Sequence, residues 1–363
     1  MRGGTRHVHE NEQNRRGAWR GPGSARDRNM SGAQKPRVTV VTPFYNTERY
    51  LEPCIRSVLA QDYRNFEYIL SDNRSTDGSL EIARRYERLD SRISVRTHDE
   101  FVRQEANYNR ALRYMSPESE YCKIVQADDW VEPQCLTRMV QAAAPHPTAG
   151  IISACFIAGR VLGGMGLPFD REFFTGRETC RTRLTTGGTY FGSPTCLMYR
   201  ASVVRARDPF YAETGINVDT QLCFEVLSQS DFVRVPHILM TLRRNDDSVS
   251  AALAQNNPQL LLQYILTRRY GPRFLERAEL QRVQQSARAS YYRMLARAWL
   301  NRASDSFWEF HRTELAQIEE EIDSAALAAA VFATCIDKLL NPKRTVEQII
   351  ERLSSSRPAN KSG

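Results

Sequence analysis

Two short acidic segments follow aliphatic runs in this 363-residue chain. Residues 69–79 have the sequence Ile-Leu-Ser-Asp-Asn-Arg-Ser-Thr-Asp-Gly-Ser, which contains Asp72, and residues 124–130 have the sequence Ile-Val-Gln-Ala-Asp-Asp-Trp, which contains Asp128 and Asp129. Carboxylates accept hydrogen bonds, bind hard cations and take up protons. The carboxyl ends of the strands in an open parallel sheet border the ligand-binding crevice. We therefore expect these acids to converge on one site.

Strands alternate with helices from residue 37 onward, and this pattern predicts the sheet that would position the acids. In the first predicted helix, apolar side chains recur at i, i+3 and i+4 spacing and form one stripe. Such alternation indicates right-handed βαβ units, and therefore an α/β fold whose mostly parallel sheet is covered by helices on both faces. The predicted strands are Val38–Thr42, Phe66–Leu70, Ile93–Val95, Tyr121–Val125, Ile151–Phe156, Thr195–Tyr199 and Phe232–Leu242. The predicted helices are Glu48–Ala60, Gly78–Arg88, Gln104–Met115, Pro133–Ala143 and Asp219–Ser228.

The pattern changes twice in the rest of the chain. Residues 159–192 are irregular, with glycines, a proline and mixed charge, which is typical of a lid or a substrate loop. The last third predicts helices only, including Phe274–Leu300 and Thr313–Leu340. We therefore divide the chain into an α/β domain at residues 36–251 and a helical extension at residues 252–363.

The net charge of +8 is concentrated at the amino terminus. Residues 1–35 hold seven arginines and one lysine against three acids, which gives this segment +5 of the total. Because it has almost no aliphatic residues, it cannot bury enough surface to offset the entropy of ordering, and it is predicted to be a disordered basic tail. Met30 lies close to the first strand, so a shorter product that starts there is a hypothesis. Nucleic acid is a disfavoured partner, and binding through the tail would be steeply salt dependent.

The eight cysteines never form a Cys-x-x-Cys motif and mostly have apolar neighbours, as buried free thiols do. The six histidines are scattered, which disfavours a zinc site. No run approaches about 18 apolar residues, and no signal peptide is recognised. These features predict a cytoplasmic protein. Basic residues of the carboxyl-terminal helices leave open a peripheral contact with a membrane, although a solvated helix face is the simpler explanation.

Taken in order, the segments resemble the inverting glycosyltransferases of family 2, which have the GT-A type α/β fold. The similar stretch, residues 36–251, is about three-fifths of the chain. The resemblance implies transfer of a sugar from a nucleotide diphosphate sugar donor to a hydroxyl of a glycan, lipid-linked or protein acceptor. It is carried by Val40–Asn46, Ser57–Gln61, Asp72–Ser79, Asn107–Leu112, Ala127–Trp130, Gly192–Thr195, Asp219, Leu242–Arg244 and Ser248–Ser250.

The ends of the first two strands are expected to hold the nucleotide. Pro43, Phe44, Tyr45 and Asn46 lie where the first strand ends, and Asp72 lies where the second ends, so we expect their side chains to meet over the nucleoside. The resemblance implies that Asp72 accepts a hydrogen bond from the base. An anionic acceptor suits a ring N–H donor such as that of uracil, which favours a uridine diphosphate donor. The alternative is that the acids of this segment are turn and helix-capping residues, and capping is the favoured interpretation of Asp77.

Asp128 matches the last acid of the family's Asp-x-Asp metal signature, and the resemblance implies that it also contacts the nucleotide sugar. A diphosphate leaving group gains negative charge as the glycosidic bond breaks, and Mg²⁺ or Mn²⁺ held by one or two carboxylates compensates for that charge. Gln126 replaces the first acid of the signature, which leaves Asp128 and Asp129 as the metal ligands. The simpler alternative is a solvated turn after a strand.

Asp219 matches the position of the family's general base. An inverting transfer needs a carboxylate that takes the proton of the acceptor hydroxyl as its oxygen attacks the anomeric carbon. The residue before it is Val218, where relatives often have an acid. The alternative is that Asp219 is a helix cap.

Three further residues are implied in donor binding. Asn107 and Arg110 lie three positions apart on a predicted helix and so share a face. Arg244, next to Arg243, follows the last predicted strand, where a guanidinium would reach the diphosphate. Many relatives have a histidine where Asn245 stands. A plain surface helix and salt-bridged surface arginines are the respective alternatives.

Two other classes of protein compete with this interpretation. The altered residues Asn73, Gln126 and Asn245 are compatible with a non-catalytic nucleotide- or glycan-binding protein on the same scaffold, which would bind without turnover. A Rossmann dehydrogenase is disfavoured because no Gly-x-Gly-x-x-Gly follows the first strand. The sequence therefore predicts an inverting glycosyltransferase that uses a divalent cation and an Asp general base.

Overall fold

A central sheet organises the protein in a computed structural model that describes residues 35–243 and 255–340. Across these residues the sheet has ten strands, in the order β3-β2-β1-β4-β9-β6-β10-β5, with β7 beside β6 and β8 beside β10. The strands are β1 (Val38–Phe44), β2 (Phe66–Asp72), β3 (Ile93–Thr97), β4 (Tyr121–Ile124), β5 (Trp130–Val131), β6 (Ala149–Ala158), β7 (Val161–Gly163), β8 (Phe173–Phe174), β9 (Leu197–Arg200) and β10 (Asp231–Leu242). This order places β1 between β2 and β4, the two strands that the acidic segments follow.

Six of these strands run in one direction. β1 pairs in parallel with β2 and β4, β2 pairs in parallel with β3, and β6 pairs in parallel with β10. β9 runs antiparallel to both β4 and β6, so β4 and β6 share a direction. Every residue of β1 is buried, as expected for a strand covered on both faces. The prediction of a mostly parallel sheet is confirmed.

Helices lie on both faces of the sheet. Tyr68 of β2 has its hydroxyl 4.0 Å from the Cys54 sulfur, whereas Ser71 of the same strand donates to Asn107 Oδ1 at 3.4 Å. Residues an odd number of positions apart on a strand point to opposite faces, so the helices of Cys54 and Asn107 cover different faces. The first seven helices are α1 (Glu48–Leu59), α2 (Ser79–Leu89), α3 (Gln104–Leu112), α4 (Cys135–Ala143), α5 (Gly176–Thr186), α6 (Ala201–Arg205) and α7 (Val218–Val226), and a 3-10 turn covers Pro194–Cys196.

Five more helices follow the α/β part among the described residues, and this extension packs against it. The Tyr270 ring stacks on Phe224 of α7 with 5.0 Å between ring centroids, and its hydroxyl donates to Glu225 Oε1 at 3.0 Å. From Pro36 onward, the described residues belong to one compact unit. These helices are α8 (Pro258–Arg269), α9 (Gly271–Phe274), α10 (Arg277–Leu300), α11 (Asp305–Ala316) and α12 (Ser324–Leu340).

Residues 159–192 are less irregular than predicted, because they contain β7, β8 and the whole of α5. Thr175 caps α5 by accepting a hydrogen bond from the Glu178 N–H at 3.2 Å, and Gly187, with a φ of 71°, ends the helix. The Thr-x-x-Glu spacing is the sequence pattern of a capping box and marks this helix start.

The prediction of one helix over Thr313–Leu340 is wrong, since α11 ends at Ala316 and α12 begins at Ser324. Asp323 starts the second helix, because its Oδ1 accepts hydrogen bonds from the N–H groups of Ala325 and Ala326 at 2.9 and 3.0 Å. An acid directly before an alanine-rich run was the signal for this boundary.

The other predictions about composition are only partly covered by the structure. All eight cysteines are free thiols, and seven of them are buried. None of the helices in the described part of the chain combines the length and the apolar character that crossing a bilayer requires. The predicted tail, apart from Lys35, and Met30 lie outside the described residues.

Candidate active site

Asp72 and Asp128 leave the sheet at the same edge. Asp72 is the last residue of β2 and pairs in register with Phe44, the last residue of β1. Asp128 follows β4, whose Ile124 pairs with Val41 on the other side of β1. Both strands run parallel to β1, so only β1 separates the two acids across the sheet. This is the edge at which open parallel sheets bind ligands.

The turn after β1 is tied to the loop after β2. Asn46, with a φ of 49°, accepts a hydrogen bond on Oδ1 from the Thr76 N–H at 2.8 Å, and its own N–H donates to Ser75 Oγ at 3.0 Å. Tyr45 is 42% exposed, and its ring lies 4.6 Å from the Phe101 ring between centroids. These exposed rings offer an apolar surface on which a planar base can stack.

Asp72 has one carboxylate oxygen in use. It is 2% exposed, and Oδ1 accepts a hydrogen bond from the Ser75 N–H at 3.0 Å. Oδ2 accepts none from the described residues. Pro43 lies inside β1, in register with Ser71, one position before the strand end. Asp72 therefore combines a fixed orientation with one oxygen that is available to a ligand.

Asp77 has a structural role, in agreement with the capping interpretation. Its two oxygens accept hydrogen bonds from the N–H of Glu48 at 3.1 Å and from that of Ser79 at 3.0 Å, which are the first residues of α1 and α2. Burial would raise the pKa of Asp77, but these hydrogen bonds outweigh it and hold the pKa below its ordinary value.

Asn107 lies at this edge, and Arg110 contacts the loop that follows β3. Asn107 is buried, and its Oδ1 accepts from Ser71, the neighbour of Asp72 in β2. The Arg110 guanidinium donates to the backbone oxygen of Glu100 at 3.1 Å. The two residues are therefore not equivalent, although they share a helix.

The second acidic segment contains the buried carboxylate of Asp129 and the half-buried carboxylate of Asp128. Asp129 is 4% exposed, and its oxygens accept hydrogen bonds from Thr195 Oγ1 at 2.5 Å and from the Arg243 N–H at 3.0 Å. Burial and the negative charge of Asp128 raise the pKa of Asp129 to about 7. Asp128 is half-buried, and burial raises its pKa against the opposing charge of Arg243.

Thr195 and Lys123 hold this segment from inside the protein. Thr195 Oγ1 also accepts a hydrogen bond from the Gln126 N–H at 3.0 Å. Lys123, fully buried in β4, donates to the backbone oxygens of Thr195, of Leu197 at 3.3 Å and of Ile124 at 3.4 Å. Burial lowers the pKa of Lys123. The buried cation therefore fixes the backbone that carries Thr195.

The donor set fits a divalent cation at Asp128 better than at Asp129. Both Asp129 oxygens already accept hydrogen bonds, whereas Asp128 accepts none from another described residue. The Gln126 amide nitrogen donates a hydrogen bond to the Tyr108 hydroxyl at 3.1 Å. Within the described ranges, no three His, Cys, Asp or Glu side chains gather into a metal site. A single carboxylate suits a cation such as Mg²⁺, which is commonly completed by substrate phosphates and water.

Asp219 lies in the first turn of α7 and is not the N-cap residue of that helix. The helix α7 begins at Val218, and its N-cap residue is Asn217. Asp219 is half-buried, and its Oδ1 accepts a hydrogen bond from the Thr220 N–H at 2.8 Å. Burial raises the pKa of Asp219 to about 6, and the negative charge of Glu105 adds to this effect.

Tyr108 of α3 connects the acidic segment with Asp219. Its hydroxyl bonds Gln126, and its ring meets the Tyr211 ring edge-on at 5.7 Å between centroids. Burial raises the pKa of both tyrosines. The negative charge of Asp128 also raises the pKa of Tyr108, and that of Asp219 also raises the pKa of Tyr211. The predicted base and the predicted metal ligand therefore belong to one neighbourhood.

The arginine pair at the end of β10 is only partly described. The Arg243 guanidinium lies over the Tyr50 ring, 3.4 Å from its centroid, and its backbone N–H bonds Asp129. A cation–π contact thus takes the place of the surface salt bridge considered from the sequence. Arg244 and Asn245 lie outside the described residues.

Sequence reasoning missed two residues that organise the site. Lys123 was detectable, because a lysine inside the aliphatic run of a predicted buried strand needs polar partners. Thr195 was part of a resembling segment, but no local pattern shows that its hydroxyl reaches Asp129. Asn109 was grouped with the donor-binding helix, yet its amide holds the Tyr211 backbone with bonds of 2.8 and 2.9 Å.

Comparison with known families agrees with this geometry. The family described as Glycosyl transferase family 2 matches residues 39–207, from β1 to α6, including both acidic segments. Residues 39–207 belong to that family. This family 2 region ends before Asp219, so the predicted base lies beyond the matched residues. The glycosyltransferase GlyA of Streptococcus pneumoniae is 36% identical over 96 residues, which are 26% of this chain and 13% of GlyA. The chain covers less than two-thirds of the length of its first curated relatives.

Two solved structures share the fold of this chain. Staphylococcus aureus TarS 1–349 in complex with UDP-GlcNAc has a TM-score of 0.52 and 17% identity, over 81% of this chain and 79% of that chain. The mannosyltransferase PcManGT from Pyrobaculum calidifontis, in complex with GDP-Man and Mn²⁺, has a TM-score of 0.53 and 18% identity, over 86% and 83%. The prediction of a GT-A type α/β fold is confirmed.

Proposed function

We propose that this chain transfers a hexosyl group from a nucleotide diphosphate sugar to an acceptor hydroxyl with inversion, and that residues 36–251 carry the activity. One observation supports this proposal above the others. Asp72 ends β2 and Asp128 follows β4, the two parallel strands on either side of β1, and Asp219, with a pKa of about 6, is linked to the surroundings of Asp128 through Tyr108 and Tyr211. A nucleotide site, a phosphate-side carboxylate and a base are the three parts that such a transfer requires.

The nucleotide binds between the turn after β1 and Asp72. The exposed rings of Tyr45 and Phe101 stack on the base, and the available Asp72 oxygen accepts its ring N–H, which favours uridine. The structural relatives were solved with UDP-GlcNAc and with GDP-Man, which are both nucleotide diphosphate sugars. Asn107 lies next to this pocket, and Arg110 and Arg244 complete the donor contacts that we propose.

The diphosphate lies toward Asp128, which we propose as the carboxylate that holds Mg²⁺ or Mn²⁺. A bound divalent cation supplies positive charge that offsets the charge of the departing diphosphate. The Mn²⁺ in the PcManGT complex supports this assignment. Asp129 keeps the orientation of the segment through its bonds to Thr195 and Arg243.

The base step follows from the position of Asp219. Its carboxylate takes the proton of the acceptor hydroxyl while the acceptor oxygen forms a bond to the anomeric carbon. The bond from that carbon to the diphosphate oxygen breaks on the opposite face, which inverts the configuration. A pKa of about 6 keeps the carboxylate ionised at neutral pH and basic enough to accept the proton. The acceptor is a glycan, a lipid-linked or a protein hydroxyl.

The proposal is tested by titrating the full chain with a panel of UDP- and GDP-sugars, with and without Mn²⁺, and by following UDP or GDP release. We expect Asp128→Asn to abolish turnover while the fold, checked by circular dichroism, is unchanged. Asp77→Asn is the matched control, because the Asp77 oxygens accept hydrogen bonds from Glu48 and Ser79 at the starts of α1 and α2. An Asp128→Asn variant that keeps most of its activity would refute the assignment.

A non-catalytic binding protein is the second candidate, and one contact favours it. Gln126 replaces an acid of the metal signature, and its amide bonds Tyr108 instead of facing a ligand. This candidate predicts that a nucleotide sugar binds but that no nucleotide diphosphate is released at any cation concentration. The same titration and release assay therefore separates the two functions.

A further inference from the structure

A cavity of about 480 Å³ opens among the helices of the carboxyl-terminal extension. Asn257 and Leu260 line it from α8, Arg293 and Arg297 from α10, and Phe307 from α11. Its volume lies in the range of about 300–1,000 Å³ that is usual for small-molecule sites. None of the described residues that line it belongs to the α/β part, so these residues are distinct from those of the candidate active site.

Two arginines without ionic partners form one wall of this cavity. Arg293 and Arg297 are four residues apart on α10 and therefore lie on one face. Among the described residues, neither guanidinium forms an ion pair or a hydrogen bond, and none of the residues that line the cavity is acidic. Arg288, one turn earlier on the same helix, pairs with Asp323 at 2.6 Å. The cavity thus carries two exposed positive charges that no acid among the described residues compensates.

The remaining lining residues include both apolar and polar side chains. Leu260, Met294 and Phe307 are apolar, and Ser290 and Asn301 add hydrogen-bonding groups. The start of α8 also faces this space, and no side chain caps its first amides. A helix amino terminus carries partial positive charge and attracts anions. The lining therefore suits a ligand with an anionic head and an apolar body.

Helix α11 connects the cavity with the segment that precedes Asp219, the proposed general base. Phe307 lines the cavity, and seven residues later on the same helix Glu314 accepts a hydrogen bond on Oε2 from the Ile216 N–H at 3.1 Å. Seven helical residues span about 10 Å. Asp219 follows Ile216 by three positions. A ligand in the cavity would therefore lie one helix away from Ile216, which directly precedes the helix start that contains the proposed base.

We propose that this cavity binds an organic phosphate, a phosphate group joined to an apolar group, and that this phosphate belongs to the acceptor. Two neighbouring guanidinium groups match the oxygens and the double negative charge of a phosphate monoester. The assignment to the acceptor rests on the proposed function, whereas binding of the phosphate does not.

Binding is tested by calorimetric titration of the full chain with octyl phosphate, and in parallel with inorganic phosphate and with octanol. The double variant Arg293→Gln/Arg297→Gln is compared with Arg282→Gln, an exposed arginine of α10 outside the cavity. We expect octyl phosphate to bind at least about ten-fold more weakly to the double variant and equally well to Arg282→Gln. Inorganic phosphate should bind weakly, and its binding should depend on the two arginines in the same way. Any binding of octanol should not depend on them.

Two results would overturn the proposal: no binding of octyl phosphate to the wild-type chain at millimolar concentration, or equal binding to the double variant that circular dichroism shows to be folded. Strong arginine-dependent binding of inorganic phosphate alone would show a site for free phosphate and would overturn the apolar half. Release of nucleotide from the donor in water is measured with the same variants and should not change. If neither the wild type nor any variant releases nucleotide, the proposed function is wrong, but the proposal of a phosphate-binding site is not contradicted.

Discussion

The hydroxyl of Thr195 donates a 2.5 Å hydrogen bond to Asp129, which lies 66 residues earlier in the chain. The same oxygen accepts a hydrogen bond from the Gln126 N–H. One side chain thus holds both ends of the four-residue segment that presents Asp128. The orientation of the proposed metal ligand therefore depends on Thr195, which is not itself one of the proposed ligands of the metal or the donor.

Thr195→Val tests this dependence, because valine keeps the shape of threonine and removes the hydroxyl. We expect the Mn²⁺ concentration for half-maximal activity to rise about 10- to 100-fold, as is usual when a partner of a metal ligand is lost. Thr195→Ser keeps the hydroxyl and should remain within about three-fold of wild type. Activity is measured against Mn²⁺ concentration at saturating donor. Equal values for the two variants would contradict the role of the hydroxyl.

Lys123→Met tests the buried cation behind Thr195. Methionine fills a similar volume but leaves the backbone oxygens of Thr195 and Leu197 without their buried donor. We expect the free energy of unfolding to fall by about 2–3 kcal/mol, since an unsatisfied buried polar group costs about 1–3 kcal/mol. Urea denaturation measures this change. Arg113→Met, which removes an exposed cation, should change it by less than about 1 kcal/mol, and similar effects of both variants would argue against the assignment.

The activity is expected to depend on pH through Asp219. The base works only when it is deprotonated, and its pKa is about 6, so kcat/KM for the acceptor should rise with pH through that value and level off above pH 7. Asp219→Asn should abolish transfer while the affinity for the donor, measured by calorimetry, is unchanged. A rate that is flat between pH 5 and 8 would be inconsistent with Asp219 as the base.

The same raised pKa has a consequence for stability. The folded state favours the protonated form of Asp219, so its contribution to stability is fully present below the unfolded pKa of about 4 and is lost as pH rises through about 6. Asp219→Asn should therefore unfold like wild type at pH 3.5 and be more stable than wild type at pH 8, by up to about 3 kcal/mol. Thermal or urea unfolding at both pH values measures the difference. A variant that is less stable than wild type at pH 8 would show that burial does not raise this pKa.

Asp72→Asn separates nucleotide binding from turn formation. The amide oxygen of asparagine still accepts the Ser75 N–H, but the negative charge that the uracil ring N–H would meet is gone. We expect the Kd for UDP to rise about ten-fold, and the Tm to change little. Asp77→Ala should do the reverse, because it removes hydrogen bonds at two helix starts and touches no proposed ligand. A loss of UDP affinity in both variants would indicate a general effect on the loop.

The sequence by itself determined the α/β alternation, most element boundaries and the placement of Asp72 and Asp128 after strands. These features are local, since apolar periodicity, caps and turn residues act over a few positions. Even the missed start of α5 has a local signal in the four residues from Thr175 to Glu178.

Only the tertiary structure decided which polar atoms meet. The sheet order places β9 beside β4, and that neighbour relation brings Thr195 to Asp129 and to the buried Lys123 over separations of 66 and 72 residues. It also decided that Asp77 binds two helix starts while Asp72 keeps one oxygen available. The physical reason is that such contacts depend on how distant strands and helices pack, and no short pattern in the chain encodes that packing.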